Sequence, residues 1–330
     1  MYRATDAGGL VVPSVQQILE IAGNGSRSKA IASAIAMAFT LGANDVQAAE
    51  GAASNYFPGA YGDFFVSVAP DPGPVFVDLS LFYSADVSAA VLQGTVNASL
   101  DTQAYYNLLM GLYVWDAPDL NGRFAMGGYL PLGYASLDAS IGPLSVSDEE
   151  FNFGDVGIIP ASLYWNSGNF HVNLYELIVA PTGQYSTGNV VNIGRNYWSF
   201  DSVMALTWFN PESGTELSVV PGIMFNTRNE ATDYKTGTEF HVDFMANQFL
   251  SETFAIGAHG YYYNQLSGDS GTGALLGAFQ GESFGLGPAF AWVPPAGSGK
   301  VSITGKWLHD LHSENRLKAD YGELTIAVTF

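Results

Sequence analysis

Thr238-Glu239-Phe240-His241-Val242-Asp243-Phe244 is the stretch on which the fold turns. In an extended chain successive side chains point to opposite faces. Phe240, Val242 and Phe244 therefore share one face, and Glu239, His241 and Asp243 share the other. Other stretches alternate in the same way. At 300–307, Val301, Ile303 and Trp307 oppose Lys300, Ser302, Thr304 and Lys306. At 96–108, Val96, Ala98, Leu100, Ala104, Tyr106 and Leu108 oppose Asn97, Ser99, Asp101, Gln103, Tyr105 and Asn107. The last stretch sets Leu324, Ile326, Val328 and Phe330 against Glu323, Thr325 and Thr329.

About twelve segments carry this period. They are 74–84, 94–116, 122–137, 155–166, 169–180, 197–210, 214–227, 236–248, 252–264, 280–294, 299–310 and 319–330. Short Gly/Pro/Asn turns fall near 117–121, 167–168, 211–213, 249–251 and 295–298. Longer polar connections fall near 85–93, 138–154, 181–196, 228–235, 265–279 and 311–318. Short and long alternate, as they do in outer-membrane barrels. The expected fold is all-β: a transmembrane, antiparallel, up-and-down β-barrel of about twelve strands, with ten or fourteen as alternatives.

Period two does not say which face is inward, and a soluble β-sandwich alternates too. Composition decides between them. Of 330 residues, 48% are apolar and 13% charged, against about 25% charged in ordinary soluble domains. No apolar run of roughly 20 residues offers a membrane helix. A wall that faces lipid accounts for both facts. Tyr113, Trp115, Tyr164, Trp165, Tyr197, Trp198, Trp208, Phe209, Trp292 and Trp307 are candidates for the aromatic girdles at the two interfaces. The net charge of -20 argues against a nucleic-acid partner. With no Cys, disulfides, thiolate metal sites and Cys nucleophiles are excluded.

Arg27 and Lys29 precede a small apolar stretch, Ala30 to Ala43, followed by Val46-Gln47-Ala48. That order reads as a signal peptide cut after Ala48, with Ala49 as a close second, so residues 1–48 are set aside, residues 1–25 among them being a long n-region or an extended start. Residues 49–73 then form either a periplasmic tether or a plug in the lumen, and 74–330 the barrel. The terminal Phe330 resembles the sorting signal through which such barrels meet the outer-membrane assembly machinery.

The mature chain also resembles a family, the outer-membrane proteins of the meta-pathway of phenol degradation. The likeness begins at Tyr56-Phe57-Pro58-Gly59, Gly62-Asp63 and Pro70-Asp71-Pro72-Gly73. It continues through Gly194-Arg195-Asn196-Tyr197-Trp198 and Phe225-Asn226-Thr227-Arg228-Asn229, with Thr232-Asp233-Tyr234 and Gly237. It ends with Gly260-Tyr261-Tyr262-Tyr263, Gln265, Lys306-Trp307 and Glu314-Asn315-Arg316. Ser202 and Leu317-Lys318-Ala319 depart from the pattern, at positions where Pro and a Pro/Gly turn are expected. The resemblance implies an exported barrel in the bacterial outer membrane, passing aromatic or other hydrophobic molecules. It implies no catalytic residue.

The polar phases give the lumen candidates Asp78, Glu216, Glu239, His241, Asp243, His259, Tyr261 and Lys306. Two readings are open: lining of a wetted channel, or hydrogen-bonded packing of a closed interior. Glu239, His241 and Asp243 share a face and have the donor types of a metal site, but any lumen-facing strand shows such a set, and no metal or cofactor is expected. Arg228, Asn229, Asp233 and Tyr234 form a candidate outer-loop anchor, with an Arg228–Asp233 ion pair pinning the turn. No Ser stands in a position to make a triad with any of His171, His241, His259, His309 or His312, so an enzyme is not expected. The expected partners are outer-membrane lipid and a hydrophobic small-molecule cargo. The alternative is a sealed structural or surface-interaction barrel.

Overall fold

The computed structural model describes residues 54–91, 96–141, 143–274, 278, 280–294 and 300–329. The expected signal peptide over 1–48, residues 49–53 and Phe330 lie outside these. Thirteen strands follow one another: β1 (Gly73–Val91), β2 (Val96–Ala117), β3 (Gly122–Ile141), β4 (Leu144–Phe153), β5 (Val156–Ser167), β6 (Phe170–Ala180), β7 (Ser199–Asn210), β8 (Thr215–Asn226), β9 (Glu239–Ser251), β10 (Phe254–Gln265), β11 (Glu282–Trp292), β12 (Lys300–Glu314) and β13 (Ala319–Thr329). Each pairs antiparallel with its neighbours, and β1 pairs with β13 from Val75↔Thr329 to Ala85↔Ala319. That seam closes twelve of the strands into an up-and-down barrel. The twelve-stranded wall thus has no open edge, which the hydrocarbon of a bilayer requires.

All twelve expected segments are strands of this barrel. The thirteenth, β4, falls in the stretch 138–154, which the sequence presented as a loop. It stands outside the closed wall and pairs only with the distal half of β3, from Leu132↔Phe153 to Ile141↔Leu144. The proximal half of β3 pairs instead with β5. Pro160 lies at the register shift between Ile158 and Ala161, where β5 bulges. A proline has no N–H for the ladder, so it sits at such an irregularity.

The wall is lopsided. β1, β2 and β3 have 19, 22 and 20 residues, whereas β5 to β11 have 11 to 13. A tilted strand needs about 9–11 residues to cross a bilayer, so the long hairpins rise well past the rest. The short turns sit together at the other end. Asn121 (φ 51) and Gly214 (φ 67) supply the left-handed backbone two of them need.

The tall hairpins reverse the expected phase of β2. Leu100, Ala104 and Tyr106 face inward and line a cavity, while Asp101 and Gln103 are exposed. Above the level of lipid the surroundings outside the wall are watery, so polar side chains point outward there. Asp78 needs the same correction. It lies on the outer face of β1 beside Phe76 and opposite Leu109, each 56% exposed, and it accepts a bond from Asn107 Nδ2 at 2.6 Å. The inward residues of β1 are the apolar Val75, Leu79 and Leu81. Of the girdle candidates, Tyr113, Trp115, Trp198, Trp292 and Trp307 are exposed, whereas Tyr164 and Tyr197 are buried inside.

Candidate functional site

The interior is built around a piece of chain that is not part of the wall. Residues 54–72 run through the barrel before β1 begins. Asn55 Nδ2 donates to Ser199 Oγ at 2.8 Å near the loop end. Ser67 Oγ donates to His171 O at 3.0 Å near the turn end. Arg123 donates to the carbonyls of Ala69 and Pro70 and sits 3.6 Å from Asp71, which also pairs with Lys300 at 2.7 Å. The Lys300 ammonium, hydrogen-bonded to Asp71, holds that carboxyl below its ordinary pKa.

The lumen candidates supply most of the grip. Asp243 accepts the Tyr56 hydroxyl at 2.5 Å and the Tyr61 N–H at 2.9 Å. Glu216 accepts the Phe65 N–H at 2.9 Å. Lys306 donates to the carbonyls of Gly59 (2.7 Å) and Gly62, and pairs with Glu323 at 2.9 Å. Thr304 donates to Asp63 at 3.0 Å. The sequence fit follows from strand period: Lys306 and Thr304 share the inward phase of β12, and Asp243 has the inward phase of β9.

The remaining candidates make the second tier of the same network. His241 stacks on the Tyr56 ring with centroids 4.2 Å apart, and its Nε2 meets both Asp201 oxygens at 3.0 and 3.1 Å. Glu239 accepts Tyr263 OH at 2.5 Å and Asn226 Nδ2 at 2.8 Å. His259 Nε2 lies 2.8 Å from Asn247 Oδ1. Tyr261 donates to Asp310. Seven of the eight lumen candidates therefore face inward, and Asp78 does not. Because Glu239, His241 and Asp243 each turn to different partners, they do not converge. Among the described residues no group of three or more His, Asp or Glu side chains is placed to hold a metal ion. Burying so many polar groups is tolerable because most of them have partners, though His241 Nδ1 and His259 Nδ1 have none among the described residues.

At the loop end, beside the described residues 54–58 of the threaded segment, lies a cavity of about 390 Å³. Tyr56, Phe57 and Pro58 floor it. Its walls include Tyr83, Leu100, Tyr106, Leu137, Val190 and Tyr321. Two arginines, Arg195 and Arg316, also reach it. The volume lies in the range of small-molecule sites, about 300–1,000 Å³.

The loop-anchor candidates stand together above this cavity. Arg228 pairs with Asp233. Asp233 also accepts the Thr272 hydroxyl at 2.6 Å and its N–H at 2.9 Å. Those Thr272 bonds, with Arg228 adding to them, pull the Asp233 carboxyl down to a pKa of about 2. Tyr234 donates to Asp269. The Asn229 side chain accepts from Asn196 at 2.7 Å and donates to Tyr185 OH at 2.9 Å. Since Tyr185 lines the cavity, the anchor also fixes part of its wall.

Several residues of the site escaped sequence reasoning. Asp201 and Asp310 lie on the inward phases of β7 and β12, so extending the alternation would have found them. Arg195 and Arg316 sit in loops, where no period applies. Their only signal was their place in the family-like motifs.

A twelve-stranded, closed, lipid-facing barrel with a chain segment through its lumen defines a class, the transmembrane β-barrels of bacterial outer membranes. The chain belongs to the family described as "Putative MetA-pathway of phenol degradation", whose model matches residues 85–326. An outer membrane channel from Pseudomonas putida F1 is similar in fold. Its TM-score is 0.67 at 18% identity, covering 83% of this chain and 100% of that one. A Pseudomonas aeruginosa FadL homologue superposes with a TM-score of 0.41 at 6% identity, over 88% of this chain and 96% of that one. The transport unit of the Escherichia coli autotransporter AIDA-I gives 0.47 at 13% identity, over 80% and 92%. No curated protein sequence matches the chain.

Proposed function

We propose that the protein is a passive outer-membrane channel that admits hydrophobic or aromatic small molecules. The observation that carries this reading is the aromatic cavity at the loop end, floored by Tyr56, Phe57 and Pro58. A molecule entering from that end meets apolar rings before it meets the polar lumen. Apolar walls with a few polar groups suit a small aromatic cargo. The threaded segment 54–72 acts as a plug that must shift for the cargo to pass, and it keeps water and ions out at rest. Lipid surrounds the wall, and the terminal Phe330 is the handle for assembly. No energy-coupling motif stands in the sequence, so transport is by diffusion.

Uptake of labelled toluene by cells that make the protein tests this. Ala104→Trp or Ala135→Trp fills the cavity from its wall and is expected to lower uptake to the level of cells lacking the protein. Uptake that never exceeds that level with the unaltered chain would sink the transport reading. A second reading, a sealed structural barrel, draws on the completeness of the plug contacts. It predicts no uptake in either case.

A further inference from the structure

The chain has 31 Asp plus Glu against 11 Lys plus Arg. The lining of the loop-end cavity runs against that balance. Among the described residues that line it, no Asp or Glu occurs, and the two charged side chains are both arginines, Arg195 and Arg316. Acidic residues are common elsewhere on this face. Asp148 and Glu150 both hold loop 181–198, yet neither reaches the cavity.

Neither guanidinium is already spent on an ion pair. Among the described residues no carboxylate lies within 4.0 Å of Arg195 or Arg316. Arg316 lies over the face of Tyr263, its Cζ 4.0 Å from the ring centroid. A guanidinium stacked on a ring keeps its edge N–H groups for another acceptor. Glu239 and Asp310, on strands below the loops that carry the arginines, are engaged by the hydroxyls of Tyr263 and Tyr261. The Arg195 backbone N–H is fixed on Asp155 at 2.6 Å, which sets where its side chain departs. Arg195 and Arg316 both line the cavity, together with Tyr83. Two cations thus line one pocket whose other side chains are aromatic, aliphatic or uncharged polar.

We infer that the cavity selects aromatic carboxylates over neutral hydrocarbons, the ring resting on the tyrosines and leucines and the carboxylate on Arg195 and Arg316. This rests on the channel reading above and narrows its cargo. A planar guanidinium fork matches a carboxylate with two parallel N–H donors. The apolar walls strengthen that pairing by keeping the medium poorly screening.

The test is equilibrium binding to the purified, folded full-length barrel in detergent, with benzoate and with benzamide, its uncharged isostere. Benzoate is expected to bind about tenfold tighter than benzamide, the scale of a charge-assisted hydrogen bond. Arg316→Gln and Arg195→Gln should each weaken benzoate binding several-fold more than benzamide binding and so remove most of that preference. Arg316→Lys should retain part of it. Retained heat-modifiable migration on gels certifies that each variant is folded. Equal binding of the two ligands, or a preference indifferent to both arginines, would overturn the anion inference and leave hydrophobic uptake standing. Failure of the folded barrel to bind either ligand would overturn both.

Discussion

Single atoms hold the threaded segment, so single substitutions should release it by measurable steps. Tyr56→Phe removes the hydroxyl that Asp243 accepts at 2.5 Å and leaves the Tyr61 N–H as its remaining donor. The expected loss is about 1–3 kcal/mol in urea unfolding, the cost of a buried acceptor losing a partner. A loss below a few tenths would mean that water replaces the hydroxyl. Gly222 is a sharper case. A Cβ there would run into the His241 ring, which bonds Asp201. Gly222→Ala should therefore displace that ring and destabilise by about 1–3 kcal/mol, the range for overpacking. Asp78 behaves in the opposite sense. It sits on the outer face among residues as exposed as Phe76 and Leu109. A carboxylate facing lipid is unfavourable. Asp78→Leu should raise stability in lipid bilayers by about 1 kcal/mol, measured by reversible unfolding in vesicles. A fall instead would mean that Asp78, Asn107 and Ser80 meet a polar partner on that wall.

The loop between β8 and β9 has its own titration. Asp233 has a folded pKa of about 2, below the ordinary carboxylate value of about 3.9. A depressed pKa adds stability that is complete above the unfolded value and is lost as pH falls through the folded one. Protection factors for amide exchange in residues 227–238, which remove the intrinsic pH dependence of exchange, should therefore hold down to about pH 4 and fall toward about pH 2. Asp233→Asn should abolish that fall, and protection in the unaltered chain that does not change across this range would count against the brace. The elements also show what sequence makes legible. The strands were, because a wall between lipid and lumen imposes period two and tight turns need residues such as Asn121 and Gly214. The sign of the period was not. Leu100 and Tyr106 are apolar for the sake of the cavity rather than lipid. β4 stayed hidden because its polar run Ser147-Asp148-Glu149-Glu150 reads as a loop when no membrane borders it. The threaded segment has no period, and its partners lie far along the chain, as with Tyr56 and Asp243, 187 positions apart.

At the scale of the whole barrel, the threaded segment is both filler and closure. Tyr56 joins Tyr261, Tyr263, Leu308 and Tyr321 in one cluster, and Val66 packs with Val203, Val220 and Met245 in another. Removing residues 54–72 should lower thermal stability and turn a nearly silent barrel into one that conducts steadily in planar bilayers. A folded deletion variant that stays silent would mean that the strands alone seal the lumen. The segment leads straight into β1, and β1 forms the seam with β13. Its grips come from β3, β6, β7, β8, β9 and β12. In the strand order β7, β8 and β9 stand across the ring from that seam. The segment is therefore a tie rod: joined covalently to the wall at β1 and by side chains to the far side, it carries a load on one flank of the ring through the lumen to the other.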